Sequence, residues 1–243
     1  MPCVLCKFLC DRFCPQEVKP GEIWRLSHRW EEDQSNEWEL WDAQSAEMKQ
    51  ACETAIALAS SDSIVSTEML VSLADRGSSF AARRAGWLYE NGNGVETSLL
   101  KAELYYTKAH NRGSSQAALD LARVLRRKAS TGKWESILDG AVQAGFAPAS
   151  FWLGWYRYEG DRKNSVAREV APLIESAALA GHPGARLTLA LWMSRGYLGW
   201  QRIPAGFKAF AALYRDAKSG RLGPDGGDDQ NTAEVDGPLE ALT

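Results

Sequence analysis

The sequence predicts an all-α fold in which helix pairs stack as an α/α solenoid, and three regularities point to it. The first is a set of glycines 36, 32 and 36 residues apart: Gly77, Gly113, Gly145 and Gly181. The second is an alanine four residues after each glycine: Ala81, Ala117, Ala149 and Ala185. The third is a small residue nine positions after each glycine: Gly86, Ala122, Gly154 and Ala190. Repeat periods of this length are typical of helical solenoids.

Each repeat is predicted to contain two helices. Positions 4, 8 and 12 after the repeat glycine fall on one side of a helix, and the small residue at position nine lets another helix approach closely. A further glycine at position fifteen is expected to cap that helix, at Gly92, Gly160 and Gly196, with Lys128 as the exception. First helices are expected near 78–91, 114–128, 147–159 and 183–195, and second helices near 64–76, 98–112, 134–144, 167–180 and 205–219. Pro172 suggests a later start for the helix near 167–180, at about Pro172 itself.

The repeats are predicted to occupy residues 51–220 and to leave an extension at either end. Residues 1–50 are rich in cysteine and tryptophan. A helix from about 36 to 59 is expected to cap the first repeat, because an open solenoid end exposes apolar surface. The alternative for this segment is a second partner-binding element. Residues 221–243 are rich in glycine and aspartate and are expected to form a disordered acidic tail.

Two motifs, AARRAGWLYENGNGV at 81–95 and KAELYYTKAHNRG at 101–113, resemble the signature of Sel1-like repeats. The resemblance covers about 64–220, roughly two thirds of the chain, and is weaker at 114–145 and 183–220. It implies a right-handed superhelix related to tetratricopeptide repeats. It also implies an adaptor or scaffold role, often in bacterial signalling, secretion or envelope processes, and the family has no shared catalytic residues.

A stripe along the first helices is the predicted partner-binding surface, because solenoids bind ligands on the concave face that such helices usually line. Positions 7, 10 and 14 after the repeat glycine share that face and combine arginine with tryptophan, two residue types enriched in binding hot spots. The expected partner is another protein or peptide with an acidic or aromatic segment. The predicted contacts are Arg84, Trp87, Arg123, Arg127, Trp152, Trp155 and Arg195. Alternatively, each tryptophan packs against the next repeat and each arginine lies on an ordinary solvated face.

Four cysteines near the N-terminus, Cys3, Cys6, Cys10 and Cys14, are spaced so that they share one stripe of a helix. Four thiols on one short helix do not easily surround a tetrahedral ion. A site for zinc or another thiolate-bound metal would therefore use two or three of them or be shared between chains. Acylation, intermolecular disulfides and a partly buried apolar stripe are the alternatives. No other cofactor is expected.

Catalysis and nucleic-acid binding find little support in the sequence. His28, His110 and His182 belong to different predicted elements, and the P-loop, GxSxG and dinucleotide-binding motifs are absent. A net charge of -3 is not the basic excess of a nucleic-acid-binding protein. We therefore expect a binding protein and not an enzyme. Besides an adaptor, it could be an immunity or inhibitor protein that blocks a toxin or enzyme, or a thiol- or metal-dependent sensor.

The expected location is the cytoplasm. No apolar run approaches the roughly 20 residues needed to cross a bilayer. The first residues, MPCVLCKFLCDRFCPQ, differ from a secretory signal because Lys7, Asp11 and Arg12 interrupt the apolar stretch.

Overall fold

The structure, a computed structural model, describes residues 20–129 and 132–218, with side chains described for 27–129 and 132–216. These two segments contain twelve α-helices, one 3-10 turn and no strand, which confirms the all-α prediction. The helices are α1 Pro20–Asp33, α2 Glu37–Asp42, α3 Ala46–Leu58, α4 Ser63–Asp75, α5 Ser79–Asn91, α6 Leu99–Asn111, α7 Ser115–Arg127, α8 Lys133–Gln143, α9 Ala147–Gly160, α10 Asn164–Leu179, α11 Pro183–Ser194 and α12 Ile203–Lys218, with the 3-10 turn at Trp200–Arg202.

Consecutive helices pack against each other from α3 to α12, so the chain forms a solenoid of helix pairs as predicted. The first helices of the four pairs are α5, α7, α9 and α11, and their second helices are α6, α8, α10 and α12. The apolar core continues along the stack in adjoining clusters, around Leu70 near its start, Leu138 in the middle and Ile174 further on. Each pair thus buries its apolar face against its neighbours, as repeat architectures require.

The small residues at position nine do let the paired helices nest. A Cβ atom placed on Gly86 would lie 2.7 Å from the Tyr106 ring, and one placed on Gly154 would lie 2.9 Å from Ile174. Both of these neighbours belong to the second helix of the same pair and are fully buried. The glycines therefore set the short distance between α5 and α6 and between α9 and α10.

The repeat glycines follow α4, α6, α8 and α10, in turns that need a left-handed backbone. All four have positive φ: Gly77 at 111°, Gly113 at 92°, Gly145 at 84° and Gly181 at 101°. Residues with a Cβ adopt this conformation at a cost that glycine avoids. Gly92 ends α5 in the same way, and its N–H donates to the Leu88 carbonyl at 2.9 Å.

The predicted start of a helix at Pro172 is wrong. Helix α10 begins at Asn164 and continues through Pro172 to Leu179. Proline removes one backbone hydrogen bond, but Ala167 and Val170, which precede it, are buried in the core. Packing of the first half of α10 therefore outweighs the local preference of proline.

The single helix predicted near 36–59 is also wrong, since α2 and α3 are separate. Ser45 lies between them and caps α3, because its hydroxyl accepts a hydrogen bond from the Met48 N–H at 3.2 Å. Helix α3 packs on α4 and covers the first repeat. The domain boundary predicted between 50 and 51 falls inside α3.

None of the helices in the two described segments is long and apolar enough to span a membrane. The predicted acidic tail at 221–243 lies outside the described residues.

Candidate functional site

Arg84 and Trp87 form an exposed pair on α5. The Arg84 guanidinium lies over the Trp87 ring, 4.9 Å from its centre, and 37% of Trp87 is exposed. Both residues border a shallow depression of about 30 Å³, which is also lined by Ile56, Leu70 and Asn93. Arg84 makes no ion pair with a carboxylate of the described residues. The pair offers a cationic and an aromatic surface beside an apolar one.

Arg123 and Arg127, two other predicted contacts, bind a buried carboxylate of this chain. Arg123 donates to Glu90 through Nε at 3.1 Å and Nη2 at 2.8 Å, and Arg127 donates to it at 3.0 Å. The Tyr106 hydroxyl donates to the same carboxylate at 2.9 Å. Glu90 lies on α5 and both arginines on α7, so this cluster joins two successive repeats.

A second buried carboxylate, Asp120, extends the cluster. It accepts hydrogen bonds from Arg83 at 2.8 Å and from Arg123 at 2.9 Å. Burial alone would raise the pKa of both Asp120 and Glu90, but the adjacent arginine charges and hydrogen bonds outweigh burial, and both pKa values are lowered. Both carboxylates are therefore ionised at neutral pH and hold their arginines in place.

Trp152 is also engaged within the chain, by helix α1. Its indole Nε1–H donates to Oε1 of Glu31 at 2.8 Å, and Nε2 of His182 lies 2.9 Å from the same oxygen. His182 Nδ1 accepts a hydrogen bond from the Ala185 N–H at 3.2 Å. Because Nδ1 is an acceptor, Nε2 carries the proton and donates to Glu31. The Glu31 carboxylate thus fills a buried notch between α9 and α11.

Glu31 belongs to a longer segment, residues 27–44, which we call the strap. Three of its acceptor side chains bind the N-cap residues of three first helices. Gln44 accepts from the Ser78 hydroxyl at 2.6 Å, Glu37 accepts from the Ser114 hydroxyl, and Glu31 accepts from His182. Each cap also accepts an N–H from its own helix, from Ala81, Ala117 and Ala185 respectively. We call Ser78, Ser114 and His182 the cap row.

Further contacts follow the same path along the solenoid. The Ser27 hydroxyl accepts from the Gly184 N–H at 2.9 Å, and the Trp30 ring meets His182 edge-on with 5.1 Å between ring centres. Asn36 donates to the Gly113 carbonyl at 2.8 Å. The strap therefore runs from α11 past α9 and α7 to α5, in the reverse of the order in which these helices occur in the chain.

The strap carboxylate Glu37 differs from Glu90 in the net direction of its pKa. Burial raises the pKa of Glu37, and the Ser114 hydrogen bond and the Arg83 charge only partly offset this effect. The hydrogen bonds and positive charges around Glu37 therefore offset less of its burial cost than the arginines offset for Glu90 and Asp120.

The remaining predicted contacts have different environments. Trp155 is partly buried and stacks on Phe151, with ring centres 6.2 Å apart. Arg195 is exposed at the C-terminal end of α11. The structure thus separates the predicted stripe into an exposed pair on α5, an arginine cluster, an aromatic region at α9 and a terminal arginine.

Sequence reasoning missed Glu31 and the cap row, although a signal was present. Ser78, Ser114 and His182 each follow a repeat glycine directly, and serine at that place favours helix capping. Phe146 occupies the same position before α9 and is buried in the core instead. What the sequence does not indicate is which distant segment would contact these caps.

Cys3, Cys6, Cys10 and Cys14 lie outside the described residues, so the metal site predicted there stays a prediction. Among the side chains that the structure does describe, no group of three histidines, cysteines or carboxylates is placed to hold a metal ion. Cys52 is buried with its sulfur 3.6 Å from the Ser78 hydroxyl.

The stacked helix pairs have the fold of Sel1-like repeat proteins, as two solved structures show. A Sel1 repeat protein from Oxalobacter formigenes has a similar structure, with a TM-score of 0.52, 18% sequence identity, and coverage of 68% of this chain and 72% of that one. A protective antigen present in uropathogenic Escherichia coli strains, which displays the same fold, gives a TM-score of 0.50 at 17% identity. That match covers 66% of this chain and 36% of the antigen. No family model matches the sequence, and no curated protein matches it.

Proposed function

We propose that this chain is a protein-interaction scaffold that binds an acidic segment of a partner protein beside Arg84 and Trp87. The observation that carries the proposal is this exposed cation–aromatic pair, stacked at 4.9 Å at the edge of an apolar depression. Arginine and tryptophan are the residue types most often found at binding hot spots. A carboxylate of the partner would neutralise the charge of Arg84, and a small apolar group such as a methyl would fit the depression next to Ile56.

The other residues of the stripe extend this proposed surface along the solenoid. The side chains of Arg123 and Arg127 are 40% and 52% exposed even though they bind Glu90, so their outer edges face solvent. Trp155 and Arg195 continue the stripe toward the last repeat. The Sel1-like resemblance supports an adaptor role in a bacterial signalling, secretion or envelope-related complex. We further propose that the chain acts in the cytoplasm, by binding and not by catalysis.

Substitutions at the exposed pair test this function. We expect Arg84→Glu and Trp87→Ala each to weaken binding of the natural partner by at least about tenfold, because loss of a hot-spot residue typically removes that much affinity. Partners would be identified by quantitative mass spectrometry of proteins that co-purify with the wild-type chain, and their affinities measured by calorimetry. Arg162→Glu is the matched control, because Arg162 is an exposed arginine in the turn between α9 and α10.

Two outcomes would change the conclusion. If both variants retain every partner at wild-type affinity, the pair on α5 is not the binding site. If the recovered partner is an enzyme, bound at equal stoichiometry and inactive in the complex, the chain is an inhibitor and not an adaptor.

A further inference from the structure

The strap occupies a surface that has the chemistry of a peptide-binding site. Its acceptors Glu31, Glu37 and Gln44 are six and seven residues apart, and each meets one member of the cap row. The strap covers Trp152, a residue of the predicted partner stripe, and hydrogen-bonds to it. A segment of this chain is therefore seated where a segment of another protein could form the same contacts.

The side chains of the cap row are fixed in place because each one already accepts a hydrogen bond from its own helix. One lone pair of the Ser78 or Ser114 hydroxyl accepts a helix N–H, as does Nδ1 of His182, so the remaining proton of each cap faces the strap. A row of outward donors selects for acceptor groups, above all carboxylates. The positive ends of the helix dipoles of α5, α7 and α11 reinforce that preference.

The strap is held by polar contacts and by two tryptophans, Trp30 against His182 and Trp41 against Phe80, but its middle is more exposed. Helix α2 contains no buried residue, and Trp38 within it is 74% exposed. Glu31 and Glu37 accept hydrogen bonds from Trp152, His182 and Ser114, whereas two arginines donate to Glu90. Helix α2, which buries no side chain, is expected to open at lower free energy than the core.

We propose that the strap is an internal stand-in for a partner, and that the cap row with Trp152 is a second binding site for an acidic segment of a partner protein. The strap fills the site until such a segment, with two carboxylates about six residues apart, displaces it. This inference rests on the proposed function in one respect, which is that the chain binds protein partners.

The experiment supplies the strap in trans. A fluorescent peptide of residues 27–44 is titrated into the full chain and into a release variant, Glu31→Ala with Glu37→Ala, and anisotropy is measured. We expect the release variant to bind the peptide at least about tenfold more tightly than the wild type, because the tethered native strap competes at high effective concentration. Adding Trp152→Phe removes one donor to a carboxylate and should weaken that binding about tenfold or more. Trp134→Phe, a matched change at the α8 tryptophan that packs edge-on against Tyr156, should have no effect.

A second measurement uses the unmodified chain, so that the proposal does not depend on whether the release variant folds. Amide hydrogen exchange should show α1 and α2 opening well before α6 to α10, at rates that do not require global unfolding. The proposal is overturned if a natively folded release variant fails to bind the peptide, or if α1 exchanges only when the whole chain unfolds. Arg84→Glu should leave peptide binding intact, so failure here is distinguishable from failure of the site on α5.

Discussion

The side chain of Glu90 accepts hydrogen bonds from Tyr106 on α6 and from Arg123 and Arg127 on α7, although it belongs to α5. A buried carboxylate stabilises the fold only while all of its hydrogen bonds are made. A buried donor that loses its acceptor has given up its hydration without gaining a hydrogen bond in return. The two arginines therefore have a structural role whether or not a partner also contacts them.

We expect Glu90→Gln to lower the free energy of unfolding by about 2–3 kcal/mol, because it removes the negative charge that balances Arg123 and Arg127. Urea unfolding followed by circular dichroism would measure the loss. The control is Glu175→Gln, which breaks a half-exposed pair with Arg202 and should cost less than about 1 kcal/mol. Equal losses in the two variants would show that the Glu90 cluster is no stronger than a surface ion pair.

The lowered pKa values of Glu90 and Asp120 predict a sensitivity to acid. A carboxylate whose pKa is lower in the folded state contributes stability above its unfolded pKa, near 4, and that contribution is lost as the pH falls through the folded value. Glu37, with a raised pKa, has the opposite sign and is relieved by mild acid. We expect unfolding free energies to decline below about pH 4. In Glu90→Gln that decline should be shallower, and an identical decline would contradict the assignment.

At the level of single residues, spacing indicates which face of a helix a side chain occupies but not what lies opposite. The stripe correctly grouped Arg84, Trp87 and Trp152 on the first helices. It did not reveal that Arg123 meets Glu90, 33 residues earlier, or that Trp152 meets Glu31, 121 residues earlier. Such pairs depend on tertiary packing, which one sequence does not specify.

At the scale of helices, an N-cap here serves two segments at once. Ser114 accepts the Ala117 N–H at 3.0 Å and donates to Glu37 of the strap. Ser98 caps α6 by accepting the Lys101 N–H at 3.3 Å and has no strap contact among the described hydrogen bonds. The two serines therefore separate the effect of capping from the effect of holding the strap.

We expect Ser114→Ala to cost about 1–2 kcal/mol of unfolding free energy, and Ser98→Ala only about 0.5–1 kcal/mol, because the second change removes a cap alone. Chemical denaturation of both variants gives the comparison. In a Glu37→Ala background the excess cost of Ser114→Ala should vanish, as a double-mutant cycle would show. A persistent excess would mean that the Ser114 hydroxyl stabilises α7 without the strap.

Helix positions were well predicted because glycine spacing and small residues act locally. The expected helices near 78–91 and 98–112 correspond to α5 and α6 within a residue. The predicted helix boundaries were wrong where core packing or a helix cap outweighed the repeat pattern. The core packing of α10 overrides Pro172, and the Ser45 cap divides the helix expected near 36–59. Nothing in the periodicity indicates the path of residues 27–44, which lie outside the repeats.

At the scale of the whole molecule, the strap links repeats that would otherwise interact only with their neighbours. Solenoids unfold approximately as a chain of nearest-neighbour units. The contact of Glu31 with His182 joins residues 151 positions apart. The stability of the last helix pair therefore depends on the strap as well as on the neighbouring repeat. Unfolding of α9 to α12 should therefore depend on a residue in α1.

We expect Glu31→Ala to lower the urea midpoint of α9 to α12 by about 1 M, with a smaller change in α4 to α6, because the substitution removes the carboxylate that accepts from Trp152 on α9 and from His182, the cap of α11. Segment-resolved hydrogen exchange across a urea series would measure both regions. Glu68→Ala, an exposed change on α4, is the control. A uniform shift of all repeats would show that the strap does not couple the two ends selectively.

The long separation between Glu31 and His182 also affects how the chain is made. A ribosome releases α1 long before it has synthesised α11, so the N-terminal helix exists for most of translation without its complete receptor. Repeats built from local contacts fold early, and contacts between distant residues form late. During that interval Ser78 and Ser114 can already meet Gln44 and Glu37, whereas Glu31 must wait for His182. We therefore expect the strap to dock from its C-terminal end first.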